Sequence, residues 1–210
     1  MEERWLAGEI GSRECLREQM ALVRAREEEL GKLVDSVPVD GYFLEFVEEC
    51  MTRGFPIHVV SDGFDWVIQR TLAREEWNDK RIMKSLRVFA SKLEIRERYM
   101  ITTFPHSSVH CTHGCATCKP RLMECEGRGY TPVIFIGDGA SDQQAVSCAD
   151  IVFARESKSL SRFCQEQKIP YVPFESFKDV QLGLRERLYA LGAGEDVAKN
   201  PLILFYETES

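Results

Sequence analysis

Two short apolar runs stand out along this chain, each closed abruptly by small, polar or acidic residues. Ile57-His58-Val59-Val60 ends in Ser61-Asp62-Gly63, and Val133-Ile134-Phe135-Ile136 ends in Gly137-Asp138-Gly139. Runs of this length without alternation predict strands buried on both faces of a parallel sheet. Ile151–Phe153 and Tyr171–Val172 read as shorter strands, and residues 86–104 alternate weakly enough to predict two more, with a turn near Arg96-Glu97-Arg98. Helical spacing lies between them. Asp40 opens a segment with Phe43, Phe46, Val47 and Cys50 on one face, stopped by Gly54. Further helices are expected over Asp65–Arg74, Pro120–Glu126, Asp142–Cys148, Leu160–Gln167 and Phe177–Leu191. Residues 1–36 are helical in composition, with Ser12 as a candidate cap and a charged face from Arg24 to Glu29. Leu202–Tyr206 is a short apolar segment, expected as an edge strand. The alternation of strand and helix predicts an α/β fold around a mainly parallel sheet.

Composition narrows the class. The 210 residues are 44% hydrophobic and 29% charged, ordinary for a globular protein. A net charge of −7 argues against a general nucleic-acid partner, which needs a basic face. It leaves phosphate esters open, because a local lysine or metal ion outweighs the global sign. No apolar run approaches the roughly 20 residues that span a bilayer, so no membrane partner is expected. The acidic N-terminus has no signal-peptide core, and a cytoplasmic setting is expected. Of eight cysteines, Cys15, Cys50, Cys148 and Cys164 read as small core residues.

The chemistry gathers where the strands end. Ligands of open α/β sheets sit in the crevice outside the carboxyl ends of the strands. Asp138 and Asp142, spaced i, i+4 after a strand, suit a hard cation such as Mg²⁺; a helix cap and a first-turn acid explain them equally well. Ser61 and the backbone N–H groups around Asp62-Gly63 can hold a phosphate oxygen. Lys119, just before Pro120, can offer a point charge to a phosphate. His106, His110, Cys111, His113, Cys115 and Cys118 crowd one loop. Cys111-x3-Cys115-x2-Cys118 has spacing that a tetrahedral Zn²⁺ tolerates with one histidine, against the plainer reading of a compact packed loop.

Taken in order, Ser61, Lys119 and Gly137-Asp138-x3-Asp142 resemble the second, third and fourth motifs of the haloacid dehalogenase superfamily. Trp5–Ile10, Val60–Gly63, Ala90–Leu93, Phe104–His106, Cys118-Lys119 and Ala149–Ala154 extend the likeness in one colinear series. The series is similar to the phosphoserine-phosphatase-like branch, near the methylthio-ketopentenyl phosphate phosphatases of methionine salvage. That resemblance implies a Rossmann-like, mainly parallel sheet with a partial N-terminal helical cap: residues 1–36 as cap segment and 37–210 as core. It implies a Mg²⁺-dependent hydrolysis of a small phosphorylated metabolite through an aspartyl-phosphate. Ser61, Asp62 and Gly63 would bind phosphate. Lys119 would neutralise it, Asp138 would hold Mg²⁺, and Asp142 would orient the metal's surroundings and Lys119.

One part of the pattern is missing. The family begins with a strand carrying Asp-x-Asp-Gly-Thr, whose first Asp attacks phosphorus, and no such motif occurs here. The expectation is therefore an N-terminally truncated phosphatase, with a non-catalytic binding protein of the same fold and a small zinc-stabilised module as alternatives. Without that strand the sheet should show a gap or edge between strands 57–61 and 133–136, unless the two pair directly or a segment such as Leu202–Tyr206 enters. A gap would leave both strands poorly protected from hydrogen exchange.

Overall fold

The computed structural model describes residues 1–74, 80–192 and 201–205. Its strands are β1 (Ile57–Phe64), β2 (Leu86–Arg96), β3 (Tyr99–Thr103), β4 (Val133–Gly137), β5 (Ile151–Arg155), β6 (Val172–Phe174) and β7 (Leu202–Phe205). Its helices are α1 (Glu2–Leu6), α2 (Ser12–Leu22), α3 (Glu27–Ser36), α4 (Phe43–Thr52), α5 (Asp65–Leu72), α6 (Lys80–Ser85), α7 (Lys119–Glu126), α8 (Ser159–Gln167) and α9 (Phe177–Gly192). Among the described residues the strands form one sheet in the order β3-β2-β1-β7-β4-β5-β6. Every pairing is parallel except that of β2 with β3. This is the expected α/β architecture.

Each face of the sheet carries its own core. Ile57, Val59, Ile134, Ile136 and Ile203 point to one, against α4, α5 and α9. Val60, Phe135, Leu202 and Leu204 point to the other, against α7 and α8. Successive side chains of a strand face opposite sides, so the unbroken apolar runs follow directly from a sheet covered on both faces. Asp40 accepts the backbone N–H of Tyr42 (2.9 Å) and that of Phe177 (2.8 Å), tying the start of α4 to the start of α9.

Three expectations are corrected. The segment expected at an edge, Leu202–Tyr206, forms a strand over Leu202–Phe205 at the centre of the sheet; Tyr206 lies outside the described residues. Ile203 is in register with Ile57 on one side and Ile134 on the other. Leu202, Ile203 and Leu204 are fully buried, and a strand apolar on both faces belongs in the interior rather than at a rim. The sheet therefore has no gap between β1 and β4. Both strands are hydrogen-bonded along both edges, so residues 57–60 and 133–136 are expected to exchange slowly, not fast.

The helix expected over Asp142–Cys148 is instead two 3₁₀ turns, Ala140–Asp142 and Val146–Cys148. Asp142, Ala145 and Cys148 donate their N–H groups three residues back, to the carbonyls of Gly139, Asp142 and Ala145 respectively, the short-range pattern of a tightened segment. Ser12 is not a cap: Gly11 occupies that position and Ser12 is the first helical residue. No described helix is long and apolar enough to cross a membrane.

Candidate active site

At the end of β4 the chain turns over the Asp142 side chain. A Cβ on Gly137 would lie 2.6 Å from Asp142 Oδ2, so the turn requires glycine. Asp142 is 1% exposed. Its Oδ2 accepts the N–H groups of Asp138 (3.0 Å) and Gly139 (2.9 Å), and its Oδ1 accepts Lys119 Nζ at 2.7 Å. Lys119, equally buried at the start of α7, also donates to Ser141 Oγ at 2.6 Å. The carbonyl of Asp138 accepts the Leu160 N–H (3.0 Å) and the Ser159 hydroxyl (3.2 Å), which fastens the end of β4 to α8.

The end of β1 is built as closely. Ser61 Oγ accepts the Gly63 N–H at 3.0 Å, which leaves the hydroxyl proton to donate elsewhere. The Ser61 carbonyl accepts the Thr117 hydroxyl (2.7 Å), and the Asp62 carbonyl accepts that of Ser91 (2.9 Å). The Asp62 carboxylate accepts the Ser12 hydroxyl on one oxygen and the Thr117 N–H (3.2 Å) on the other, the latter 3.9 Å from Lys119 Nζ. Burial pushes the Asp62 carboxyl up from its ordinary value, against the pull of Lys119 and its hydrogen bonds, with Asp142 adding to the rise.

Ser61, Asp62, Gly63, Asp138 and Asp142 open onto one cavity of about 450 Å³, and Lys119 sits behind Ser141 and Asp142, bonded to both. The structure thus brings together every residue of the predicted phosphate and magnesium set. Much of the remaining wall was missed: Trp5, Leu16 and Val34 from the N-terminal helices, Pro38 from the connection after α3, and Phe43 from α4. Thr117 was missed too, and nothing local in the sequence marks its bonds to β1.

The zinc site expected in the cysteine and histidine loop finds no support: among the described residues no group of three or more Cys, His, Asp or Glu side chains is placed to hold a metal. His106 lies edge-on to Phe89 with ring centroids 5.4 Å apart, and His110 and His113 are exposed. All eight cysteines are free thiols. Burial opposes ionisation of Cys111, yet backbone N–H groups of Cys115 and His113 and the thiols of Cys115 and Cys118 bring it below the ordinary thiol value. Burial pushes Cys115 up to about 12. The loop's firm contacts run elsewhere, from Thr117 to β1 and from Cys118 N–H to the His106 carbonyl (2.9 Å).

No family model matches the chain. It is similar to the 2-hydroxy-3-keto-5-methylthiopentenyl-1-phosphate phosphatase of Bacillus thuringiensis subsp. konkukian, 27% identical over 191 residues that cover 90% of this chain and 83% of the relative. The enzyme of the same description from Geobacillus thermodenitrificans is 33% identical over 139 residues, 66% of this chain and 59% of the relative. Among solved structures, a phospho-aspartyl intermediate analogue of phosphoserine phosphatase superposes with a TM-score of 0.62 at 18% identity, covering 90% of this chain and 82% of that one. A phosphoserine phosphohydrolase-like protein from Francisella tularensis subsp. tularensis SCHU S4 gives 0.58 at 18% identity, over 83% and 77% of the two chains.

Proposed function

We propose that this chain, a relative of the methylthiopentenyl phosphate phosphatases with the fold of haloacid-dehalogenase-type phosphoserine phosphatases, acts on a small phosphate monoester with an apolar body. One observation carries the reading: Ser61, Asp138 and Asp142 line a single cavity, backed by Lys119, whose remaining wall is mostly apolar, with Glu2, Gln19, Asp40 and Arg74 among it. In this reading the Ser61 hydroxyl donates to a phosphate oxygen and Lys119 supplies positive charge behind it. Positioning and charge neutralisation are what phosphoryl transfer needs most. The N-terminal helices α1–α3 act as the cap.

The chemistry of Asp138 fits Mg²⁺. The Asp62 and Asp142 carboxylates beside it are engaged by Ser12 and Thr117 and by Lys119 and the Asp138 and Gly139 N–H groups. Mg²⁺ needs only one or two protein carboxylates as hard oxygen donors, and a dianionic phosphate entering such a site needs added positive charge. Asp138 would hold the ion. Asp142 acts through position, its oxygens holding Lys119 and the turn at Asp138-Gly139. Bound there, Mg²⁺ would neutralise charge on the phosphoryl oxygens.

An aspartyl-phosphate route needs a nucleophilic carboxylate at the end of the strand between β1 and β4. Here that strand is β7, and no described residue supplies the group. Two readings follow: a phosphatase whose nucleophile lies outside the described residues, or a phosphate-ester binding protein. One experiment separates them. Calorimetry should show the chain binding orthophosphate with Mg²⁺, and Asp138→Ala should abolish it. Turnover of 2-hydroxy-3-keto-5-methylthiopentenyl-1-phosphate, the ester named for its relatives, should be slow for the chain as given. It should rise when the Asp-x-Asp-Gly-Thr strand is grafted upstream and Leu202–Phe205 is removed to free the slot. Absence of phosphate binding ends both readings, and binding without turnover in the grafted chain favours the second.

A further inference from the structure

Ser12, the first residue of α2, makes no capping bond to its own helix. It is 6% exposed, donates to the Asp62 carboxylate and accepts the Ala116 N–H at 2.9 Å. The contact is reinforced on either side. The Arg13 N–H donates to the Gly114 carbonyl at 3.1 Å, and Gly11 packs on Gly114 so closely that a Cβ would overlap that carbonyl. Asp62 then passes the connection on, accepting the Thr117 N–H and standing 3.9 Å from Lys119 Nζ. The start of α2 is thereby docked, through one buried hydroxyl, onto the residues that surround the phosphate end. The same stretch of chain carries Trp5, Cys15, Leu16 and Gln19 on the cavity wall.

We propose that Ser12 and Asp62 form a latch that sets how α1 and α2 stand over the phosphate end, making Ser12 a positioning residue for the body of the ester. This rests on the phosphate-ester reading above and adds a division of labour to it. The phosphate is held by β1, β4 and α7. The body is graded by a wall whose position relative to the phosphate depends on one hydrogen-bonded serine. Removing the hydroxyl leaves a buried carboxylate oxygen and the Ala116 N–H short of a partner, a loss large enough to shift a helix docked by so few contacts. Ser12 touches neither Lys119 nor Asp142, and Asp62 keeps the Thr117 N–H, so the Lys119–Asp142 pair behind the phosphate does not depend on its hydroxyl.

The test uses two probes on the full chain with Mg²⁺: orthophosphate, which needs only the phosphate end, and hexylphosphonate, which also needs the wall. Ser12→Ala should weaken hexylphosphonate binding roughly tenfold while orthophosphate changes by less than about twofold, and Ser12→Thr, which restores the hydroxyl, should recover the loss. Ser12→Cys keeps the volume with a weak donor and supplies the same contrast should the alanine variant fold poorly. Equal weakening of both probes, or no change in either, overturns the latch while leaving the phosphate-ester reading intact. Wild-type protein that binds neither probe removes that reading and the latch with it.

Discussion

At the phosphate end of the cavity, charged and polar side chains are buried and held by named partners: Lys119 by Asp142 and Ser141, Asp62 by Ser12 and Thr117, Ser61 by Gly63. At the far end, Trp5, Leu16, Val34, Pro38 and Phe43 offer surface without direction. Around Lys119 the polar end tolerates little, because a group displaced there leaves a partner buried without its bond. The apolar end can change shape at modest cost, since volume rather than geometry is what it supplies. Chemistry fixed at one end and selectivity adjustable at the other is a division that substitutions can probe directly.

Lys119→Met should give the largest effect. It leaves Asp142 and Asp62 buried without their cation, a loss of about 3–5 kcal/mol by analogy with other broken buried pairs. Orthophosphate binding should vanish in calorimetry, and the denaturant midpoint should fall steeply. A variant that keeps both would show that the polar end is not organised around Lys119. At the other end Leu16→Gln should weaken hexylphosphonate binding about fivefold, or roughly 1 kcal/mol, with orthophosphate unchanged. A fall in both probes would erase the distinction between the ends.

His58 sharpens the contrast on the opposite face of β1. It is 2% exposed, lies near Phe89 and has no hydrogen-bond partner for Nδ1 among the described residues. Burial, then Arg87, holds its imidazole below the ordinary value. The folded chain therefore binds a proton less readily than the unfolded one. Stability is complete above the unfolded value of about 6.5 and is lost as pH falls below it. His58→Leu should flatten the melting temperature between about pH 7.5 and about pH 5.5, and an unchanged slope would assign that loss to other groups. The smallest effect is expected far from the cavity. Glu49 takes a hydrogen bond from Arg185 that, with Arg53, lowers its carboxyl below the usual range. The arginines are about half exposed, so Glu49→Gln should cost under about 1 kcal/mol at neutral pH after solvent screening. That difference should fade as pH drops below about 4 and the wild-type carboxylate is protonated.

The sequence revealed what is local. The runs at 57–60 and 133–136, with a glycine and a carboxylate after each, contain their own reason for ending a parallel strand at a site. Ser61 and Asp138 could be read because each is tied to such an ending, and Lys119 because it precedes Pro120 at a helix start. What went unread depends on partners far along the chain. Ser12 has the composition of a cap and reveals nothing of Asp62. Asp142 looks like the start of a helix until its carboxylate is seen to turn back on Asp138 and Gly139. The thiol spacing suggested a metal because spacing does not report that His106 faces Phe89. The cavity wall follows no short-range pattern, since Trp5, Val34 and Phe43 meet only after three helices have packed.

The place of β7 has a consequence for how the molecule assembles. Ile203 pairs with Ile57 and with Ile134, so the two flanking strands become joined only through a segment separated from β1 by most of the sequence. Closing so long a loop is entropically unfavourable before the pairing it permits can compensate. A ribosome releases β1 and β4 well before β7 exists, and during that interval both present open, apolar edges. Among the described strands the latest in sequence thus acts as the keystone, and until it arrives the nascent chain must be kept from finding another strand to take its place.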